Sequence, residues 1–226
     1  MTVQFKNTIK DLLDETKSKG VKLIAVTKTV DVNVINDAIA CGITAIGENK
    51  VQELLSKYDA LNKENLEIHL IGKLQTNKVK YIVDKVDLIH SVDNYKLAKT
   101  INDQALKINK IQDILVQINI SEELSKGGVL KDQASEFIES ISSLKNIKVR
   151  GLMCIPSPEQ FEGQNSQYFD SVNKLFVDIN NKKIDNISMD ILSMGMSADY
   201  KTAIANGSTM VRVGTKIFGK RNYSEV

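Results

Sequence analysis

The chain has 226 residues, of which 42% are hydrophobic and 26% are charged, values typical of a globular protein with a substantial core. The formal net charge is only +2, no apolar run reaches the roughly 20 residues of a membrane helix, and no signal peptide is evident. Cys41 and Cys154 are far apart and lack metal-ligand spacing. We therefore expect a cytoplasmic protein without nucleic-acid or membrane partners, without a metal, and with both cysteines as packing residues.

Eight apolar, strand-like runs alternate with amphipathic segments along the chain. The predicted strands are residues 22–27, 43–47, 66–71, 87–91, 113–119, 148–153, 189–193 and 209–213. Helices are predicted at residues 3–17, 33–40, 95–109, 133–144 and 199–206, with Gly42 and Gly207 placed to end two of them. The polar segment 157–167 is predicted to be a mobile loop.

Strict alternation of strand and helix predicts right-handed βαβ units and a parallel sheet. Eight such units in this length favour an α/β fold with a single (β/α)8 barrel of the TIM type, preceded by an extra N-terminal helix. An open, doubly wound sheet is the alternative. No linker or composition break divides the chain, so we expect one domain over residues 1–226.

Two donor-rich segments follow the last two predicted strands. "MGMSADY" offers Gly195 for a tight turn, Ser197 as a helix N-cap and Asp199 in the first helical turn. In "RVGTK", Gly214 lets the backbone approach a ligand closely and Thr215 adds a hydroxyl. Barrels often bind phosphate between the loops after strands seven and eight, so the pair predicts a phosphate site. An N-cap and an ordinary glycine turn would leave the same pattern.

Three further polar residues lie in or just after apolar strands. Lys28 follows the first strand, where partial desolvation would favour a neutral amine that can form a Schiff base with an aldehyde. A surface lysine is the alternative. Arg212 lies between Val211 and Val213, so its guanidinium needs a ligand or a core carboxylate. His69, within the third strand, fits a hydrogen-bonded core histidine better than a reactive one.

These parts have one ligand chemistry in common. Closure of a barrel makes its first and eighth strands neighbours, which would bring the amine of Lys28 to the predicted phosphate site. The residues therefore favour a ligand that carries both an aldehyde and a phosphate. Pyridoxal 5′-phosphate is one such molecule, and a sugar phosphate that undergoes aldol chemistry is another.

Several motifs, in order and spacing, resemble the pyridoxal phosphate homeostasis family over nearly the whole chain. They are "AVTK", "IGEN" followed by "VQE", "HLIGKLQTNK", "SKGG", "GLMCIP" and the long run "LSMGMSADYKTAIANGSTMVRVGTKIFG". The resemblance implies a fold type III barrel similar to the N-terminal barrel of alanine racemase. Lys73, Cys154 and Ser157 depart from the family pattern without touching a residue that the resemblance places in the site.

The resemblance also implies roles for individual residues. Lys28 matches the lysine that forms the Schiff base with the cofactor, and Arg212 matches an arginine that faces the pyridine nitrogen. An arginine there disfavours the protonated ring. The remaining matches are three phosphate-binding positions, a residue that lines the pocket and, more weakly, a lysine near the pocket mouth: Ser197, Gly214, Thr215, Asn49 and Lys126.

The family is regarded as binding pyridoxal 5′-phosphate without established turnover, so the resemblance implies a non-catalytic carrier and regulator of intracellular vitamin B6. Racemases of this fold use a second base, which in alanine racemase comes from an additional β domain. The sequence ends at Val226, seven residues after "IFG", so we expect no such domain. A pyridoxal-phosphate-dependent amino-acid racemase or lyase, and a cofactor-free Schiff-base aldolase, are the alternatives. We expect a monomer, with cofactor-dependent apo-enzymes as recipients.

Overall fold

The structure is a computed structural model that describes residues 2–120, 127–156 and 165–219. The strands are β1 (Lys22–Val26), β2 (Ala45–Glu48), β3 (Glu67–Leu70), β4 (Leu88–Val92), β5 (Gln112–Asn119), β6 (Val129–Leu130), β7 (Ile147–Cys154), β8 (Ile187–Ser193) and β9 (Met210–Val213). The α-helices are α1 (Val3–Ser18), α2 (Val32–Ala40), α3 (Val51–Tyr58), α4 (Tyr95–Lys107), α5 (Ala134–Ile141), α6 (Asn165–Asn181), α7 (Tyr200–Ala205) and α8 (Thr215–Phe218). Two short 3-10 helices cover Thr76–Tyr81 and Lys131–Gln133.

Eight parallel strands form a closed ring in the order β1, β2, β3, β4, β5, β7, β8, β9. The pairing of β4 with β5 and that of β9 with β1 close the ring. The two-residue strand β6 pairs with β5 without joining the ring. The predicted barrel is therefore confirmed, and the open doubly wound sheet is wrong.

The apolar side chains divide into two layers, as the alternation of residues along a strand requires. A small cluster fills the barrel interior: Ile24, Ala45, Leu88, Leu115, Met153 and Met210. A much larger cluster lies between the barrel and the surrounding helices. The helix α1 buries Ile9 and Leu12 in this outer layer, and Phe5 packs against Phe218 of α8 with 6.2 Å between ring centroids.

All eight predicted strands are present, with ends within two residues of the predicted ones. Gly42 and Gly207 follow the last residues of α2 and α7 with φ of 104° and 90°, as predicted for helix ends. Three α-helices were missed: α3, α6 and α8. The prediction of a loop over residues 157–167 is wrong at its end, because α6 begins at Asn165; residues 157–164 lie outside the described residues. Within the described ranges, the structure has no helix long and apolar enough to cross a bilayer.

Candidate functional site

Five of the six predicted site residues lie where strands of the ring end. Lys28 follows β1, Asn49 follows β2, Ser197 follows β8, and Gly214 and Thr215 follow β9. Because all strands of the ring are parallel, their carboxyl ends meet at one end of the barrel, which we call the carboxyl rim. The sixth residue, Arg212, lies within β9. The structure thus brings all six predicted residues to or just below the same rim.

The pairing of β1 with β9 places the Lys28 turn beside the glycine turn. Ile24 is the partner of Arg212, and Ala25 is the partner of Val213. Continued by one residue, this register sets Val26 opposite Gly214. Neighbouring strands lie about 4.8 Å apart, so the turn that bears Lys28 and the turn that begins at Gly214 are adjacent.

The hydroxyl of Ser197 joins the two predicted phosphate turns. Its Oγ accepts from the backbone N–H of Gly214 at 3.2 Å and of Lys216 at 3.4 Å. The backbone N–H of Arg212 donates to Gly195 O at 3.0 Å. Two backbone amides and a hydroxyl therefore converge on one point of the carboxyl rim, with the side chain of Thr215 exposed next to them.

The turn after β8 differs in detail from the prediction. Gly195 has φ of 95°, and an added Cβ would lie 2.5 Å from Ala203 Cβ, so the predicted tight turn does require glycine. The helix α7 begins at Tyr200 with Asp199 at the N-cap position, so the prediction of Ser197 as N-cap is wrong. The physical reason is the turn itself: Met196 N–H donates to Asp199 Oδ1 at 2.6 Å, which places the helix start two residues later.

Arg212 is buried inside the barrel, with 3% of its surface exposed. Its guanidinium donates from Nη1 to Ser193 Oγ at 2.6 Å and from Nη2 to Cys154 O at 2.9 Å. Both acceptors are neutral, so these bonds differ from the core ion pair that the sequence left open. Burial lowers the pKa of the guanidinium, an effect that the Cys154 and Asp199 side chains partly oppose. The side chain is a buried cation next to the carboxyl rim.

A lysine behind the rim fixes the turn that bears Lys28. Lys57 Nζ donates to Thr27 O at 2.9 Å, to Glu48 Oε1 at 2.9 Å and to Glu53 Oε1 at 2.7 Å. The hydroxyl of Thr27 also donates to Glu48 Oε1, at 2.8 Å, and the backbone N–H of Thr29 donates to Glu53. We call Lys57, Glu48 and Glu53 the lysine clamp. Both sides of Lys28 are therefore tied to α3 and β2.

The clamp contains a buried carboxyl group, one oxygen of which has no partner among the described residues. Glu48 is fully buried, and its Oε2 has no hydrogen-bond partner among the described residues. Burial raises the pKa of Glu48, while Lys57 and the Thr27 hydroxyl lower it in part. From the sequence, Glu48 was placed only in a polar segment and Lys57 was not identified. Lys57 lies in α3, which was not predicted, so nothing in the sequence placed its amine beside Glu48.

Asn49 is held by a close approach of two loops. An added Cβ on Gly72, in the loop after β3, would lie 2.2 Å from Asn49 O, so only glycine fits there. Ser91 Oγ in turn donates to Gly72 O at 2.7 Å. The loops after β2 and β3 and the strand β4 are thereby locked together, which gives a physical reason for the glycine in "HLIGKLQ".

Two buried histidines lie in the barrel interior. His69 Nδ1 is 2.9 Å from His90 Nε2, and neither side chain is exposed. The prediction of His69 as a hydrogen-bonded core histidine is therefore confirmed. His90 was missed, although a signal exists: it lies two residues after Leu88, the β4 partner of His69, so alternation places both histidines on the inner face. Burial lowers the pKa of His90 well below its ordinary value.

The remaining predicted residues add little to the rim. Lys126 and Ser157 lie outside the described residues. Cys41 is half-buried and Cys154 is buried. The expectation that Cys154 touches no predicted site residue is wrong, because its backbone O accepts from Arg212 at 2.9 Å. In the part of the chain that the structure describes, no group of three or more metal-ligating side chains occurs.

Comparison with known proteins gives consistent matches over nearly the whole chain. The family model described as "Alanine racemase, N-terminal domain" matches residues 3–222. The pyridoxal phosphate homeostasis protein of Aquifex aeolicus is 44% identical over 202 residues, which cover 89% of this chain and 88% of that protein. The protein of the same name from Escherichia coli K12 is 38% identical over 208 residues, which cover 91% and 88%.

Solved structures agree with these matches. PipY of Synechococcus elongatus is 32% identical and covers 93% of this chain and 100% of its own, with TM-scores of 0.86 without PLP and 0.84 with PLP bound. Alanine racemase from Streptomyces coelicolor has a TM-score of 0.78 at 13% identity, and the match covers 96% of this chain and 58% of the racemase. At that identity the likeness to the racemase shows the fold alone.

Proposed function

Because the chain belongs to the pyridoxal phosphate homeostasis family, within the family of the alanine racemase N-terminal domain, we propose that it binds pyridoxal 5′-phosphate at the carboxyl rim. Lys28 holds the ligand as a Schiff base, and the protein acts as a non-catalytic carrier that regulates the intracellular supply. The relative PipY, solved with PLP bound, supports this assignment.

The observation that carries the proposal is the convergence at Ser197. Phosphate oxygens accept hydrogen bonds, and the rim offers two backbone N–H groups, from Gly214 and Lys216, around one hydroxyl. The helices α7 and α8 have six and four residues, so these donors matter more than any helix dipole. The bonds to Ser197 Oγ are long, at 3.2 and 3.4 Å, so a phosphate oxygen can replace them at little cost.

The register of β1 against β9 gives the same ligand its second anchor. A Lys28 amine and a phosphate site on adjacent turns suit a small molecule with an aldehyde at one end and a phosphate at the other. When bound, the cofactor would supply an aldehyde group, and Lys28 is the residue whose amine would hold it covalently. The lysine clamp holds the turn of Lys28 in place for that contact, and Asn49 lines the pocket.

Two features of the site favour a carrier over a catalyst. The Arg212 guanidinium does not give up a proton in a protein, so it cannot protonate a ligand ring nitrogen as a carboxylic acid can. Tyr200, close to the Ser197 turn, points towards α1: its hydroxyl donates to Glu15 Oε2 at 2.8 Å, and burial raises its pKa to about 12. The tyrosine is therefore poorly placed and poorly poised to act as a second base.

Borohydride reduction tests the proposal most directly. The protein is incubated with pyridoxal 5′-phosphate, reduced, digested and analysed by mass spectrometry. We expect a pyridoxyl adduct on Lys28 and none in the Lys28→Ala variant. Lys50→Ala is the matched control, because Lys50 is an exposed lysine at the same rim and should leave the adduct unchanged. An adduct confined to other lysines, or no adduct at all, would refute the assignment.

A second experiment tests the absence of turnover. The loaded protein is incubated with L-amino acids in deuterium oxide, followed by chiral analysis and measurement of deuterium at Cα. We expect neither racemisation nor exchange above the rate of free pyridoxal 5′-phosphate. Exchange that depends on Lys28 would show an enzyme and would overturn the carrier assignment while leaving the binding site intact.

A further inference from the structure

A continuous run of hydrogen bonds crosses the barrel interior from Arg212 towards the opposite end. Arg212 Nη1 donates to Ser193 Oγ at 2.6 Å, and that oxygen lies 3.2 Å from His90 Nδ1. His90 Nε2 is 2.9 Å from His69 Nδ1, and His69 Nε2 is 3.2 Å from Glu67 Oε2. We call these five residues the interior array. It links strands β3, β4, β8 and β9.

With one proton on each imidazole ring, the acceptor at its end gives the array a single direction. The Glu67 carboxylate can only accept, so His69 donates to it from Nε2. A ring with one proton then presents Nδ1 as an acceptor, and His90 must donate to it from Nε2. His90 Nδ1 accepts from the Ser193 hydroxyl, whose oxygen accepts from Arg212. All four bonds point from the guanidinium to the carboxylate, and no donor faces a donor.

The two ends of the array lie in different surroundings. His69, His90 and Ser193 are fully buried, whereas the Glu67 side chain is 47% exposed. Glu67 faces a cavity of about 390 Å³ at the amino end of the barrel. The other charged groups that line this cavity are Lys22, Asp87, Asp113, Arg150 and Asp190. Arg150 pairs with Asp113 and Asp190, and Lys22 pairs with Glu67. Of the described carboxylates that line this cavity, Glu67 is the one that lies within hydrogen-bond distance of a histidine.

From this geometry we propose that His69 and His90 are positioning residues for Arg212. Through Ser193 they connect the buried guanidinium to the negative charge of Glu67 and hold it in one orientation at the carboxyl rim. Among the described residues the hydrogen-bond acceptors of this buried cation are neutral, and Asp199 offsets only part of the cost of its burial. Aligned bonds in a dry interior polarise one another towards the anion. The role towards a ligand ring rests on the proposed function, but the array is a property of the ligand-free protein.

Nitrogen NMR of the ligand-free protein tests the direction of the array. The chain has two histidines, so the two imidazole spin systems are resolved and are assigned with a His69→Gln variant. We expect both rings to carry one proton, on Nε2, and His90 to keep it through the pH range in which free histidine titrates. A proton on Nδ1 of His90, or a doubly protonated His90 at neutral pH, would overturn the proposal.

Exchange of the Arg212 guanidinium protons tests the coupling, again without ligand. Arg212 is the buried one of the two arginines that the structure describes, so its protons should exchange slowly. His90→Leu breaks the array, and we expect up to roughly tenfold faster exchange, the upper end for one lost hydrogen bond between neutral groups, here Ser193 and His90. His90→Gln keeps a donor and an acceptor and should restore slow exchange. Leu88→Ala, the control, opens the same interior but keeps all five residues of the array, and it should leave exchange near the wild-type rate. Equal exchange in His90→Leu and Leu88→Ala would refute the coupling.

Affinity for pyridoxal 5′-phosphate and the visible spectrum of the bound ligand extend the test to the site. We expect roughly tenfold weaker binding and a changed spectrum for His90→Leu, with both restored in His90→Gln. If the wild-type protein binds no pyridoxal 5′-phosphate, the proposed function fails, while the NMR and exchange results still decide the array. If it binds and His90→Leu binds identically, the positioning role is refuted and the proposed function stands.

Discussion

Replacement of Lys57 by methionine should destabilise the protein far more than its partial exposure suggests. The side chain of Lys57 is 13% exposed and that of Glu48 is 1% exposed. Lys57→Met keeps most of the volume but removes the ammonium, which leaves Glu48 with only the Thr27 hydroxyl on Oε1 and no described partner on Oε2. An isolated carboxylate would then remain in a buried position.

The magnitude follows from the buried pair. Loss of one partner of a buried ion pair costs about 3–5 kcal/mol. Glu48 can escape part of this by taking up a proton, which costs about 1.4 kcal/mol per unit between its folded pKa and the solution pH. We therefore expect the lower end, about 3 kcal/mol at neutral pH. Without Lys57 the raised pKa of Glu48 rises further, so the folded state binds the extra proton, and the deficit should shrink as the pH falls.

Chemical denaturation in a double-mutant cycle measures this effect. Glu48→Gln removes the charge, so the Lys57→Met, Glu48→Gln double variant should recover much of the lost stability and lose the pH dependence. Lys99→Met is the matched control. Lys99 forms an exposed pair with Asp103, four residues away on its helix as Glu53 is from Lys57, and its loss should cost less than about 1 kcal/mol. A double variant no more stable than Lys57→Met alone would contradict the reasoning.

Three further predictions concern other parts of the barrel. Glu67→Gln should lower the free energy of unfolding by at most about 1 kcal/mol because Glu67 is half-exposed. The hydrogen bond from His69 and the ion pair with Lys22 lower the pKa of Glu67 from 4.5 to about 2. In denaturation curves the difference from wild type should therefore persist above pH 4.5 and vanish as the pH falls towards 2. Gly72→Ala should lower the free energy of unfolding by about 1–3 kcal/mol and weaken ligand binding, since its Cβ would displace Asn49. Gly127→Ala is the control and should change stability little, because its Cβ would lie 3.4 Å from the nearest side chain. Equal losses of stability in the two variants would count against the role of Gly72. Burial raises the pKa of Cys154 to about 12, so in a Cys41→Ser background iodoacetamide should label the thiol only when denaturant unfolds the protein; rapid labelling of the native protein would exclude the buried position.

Most of the barrel could be predicted from the sequence because a strand buried on both faces leaves an unbroken apolar run. "LIAV" and "ILV" are such runs, and they lie in β1 and β5. The helix α3 was missed because "VQELLSKY" follows the rim residues at once and has few apolar positions. The strand β6 has two residues, and its pairing with β5 depends on tertiary contacts that no local pattern reveals.

The candidate site shows a similar division. That Lys28, Ser197 and Gly214 lie at strand ends followed from the sequence, since the end of an apolar run marks the rim. The residues also predicted an amine for an aldehyde and a site for a phosphate, with structural alternatives left open, and the resemblance to the family favoured these roles. What the sequence could not show is which groups meet across the ring: the Ser197 hydroxyl with the Gly214 amide, and Lys57 with the carbonyl of Thr27. Such contacts depend on register and helix packing.

The adjacency of β1 and β9 has a consequence for the folding and the turnover of the protein. Lys28 follows the first strand of the ring and Arg212 lies in the last, so the pocket does not exist until the final strand has docked. A ligand that contacts both residues would hold β1 and β9 together, adding about 2.7 kcal/mol of stability at a concentration 100 times its Kd. Under the proposed function, a shortage of pyridoxal 5′-phosphate would leave a protein that opens more often between β1 and β9 and is degraded sooner, so its abundance would follow the supply of that ligand.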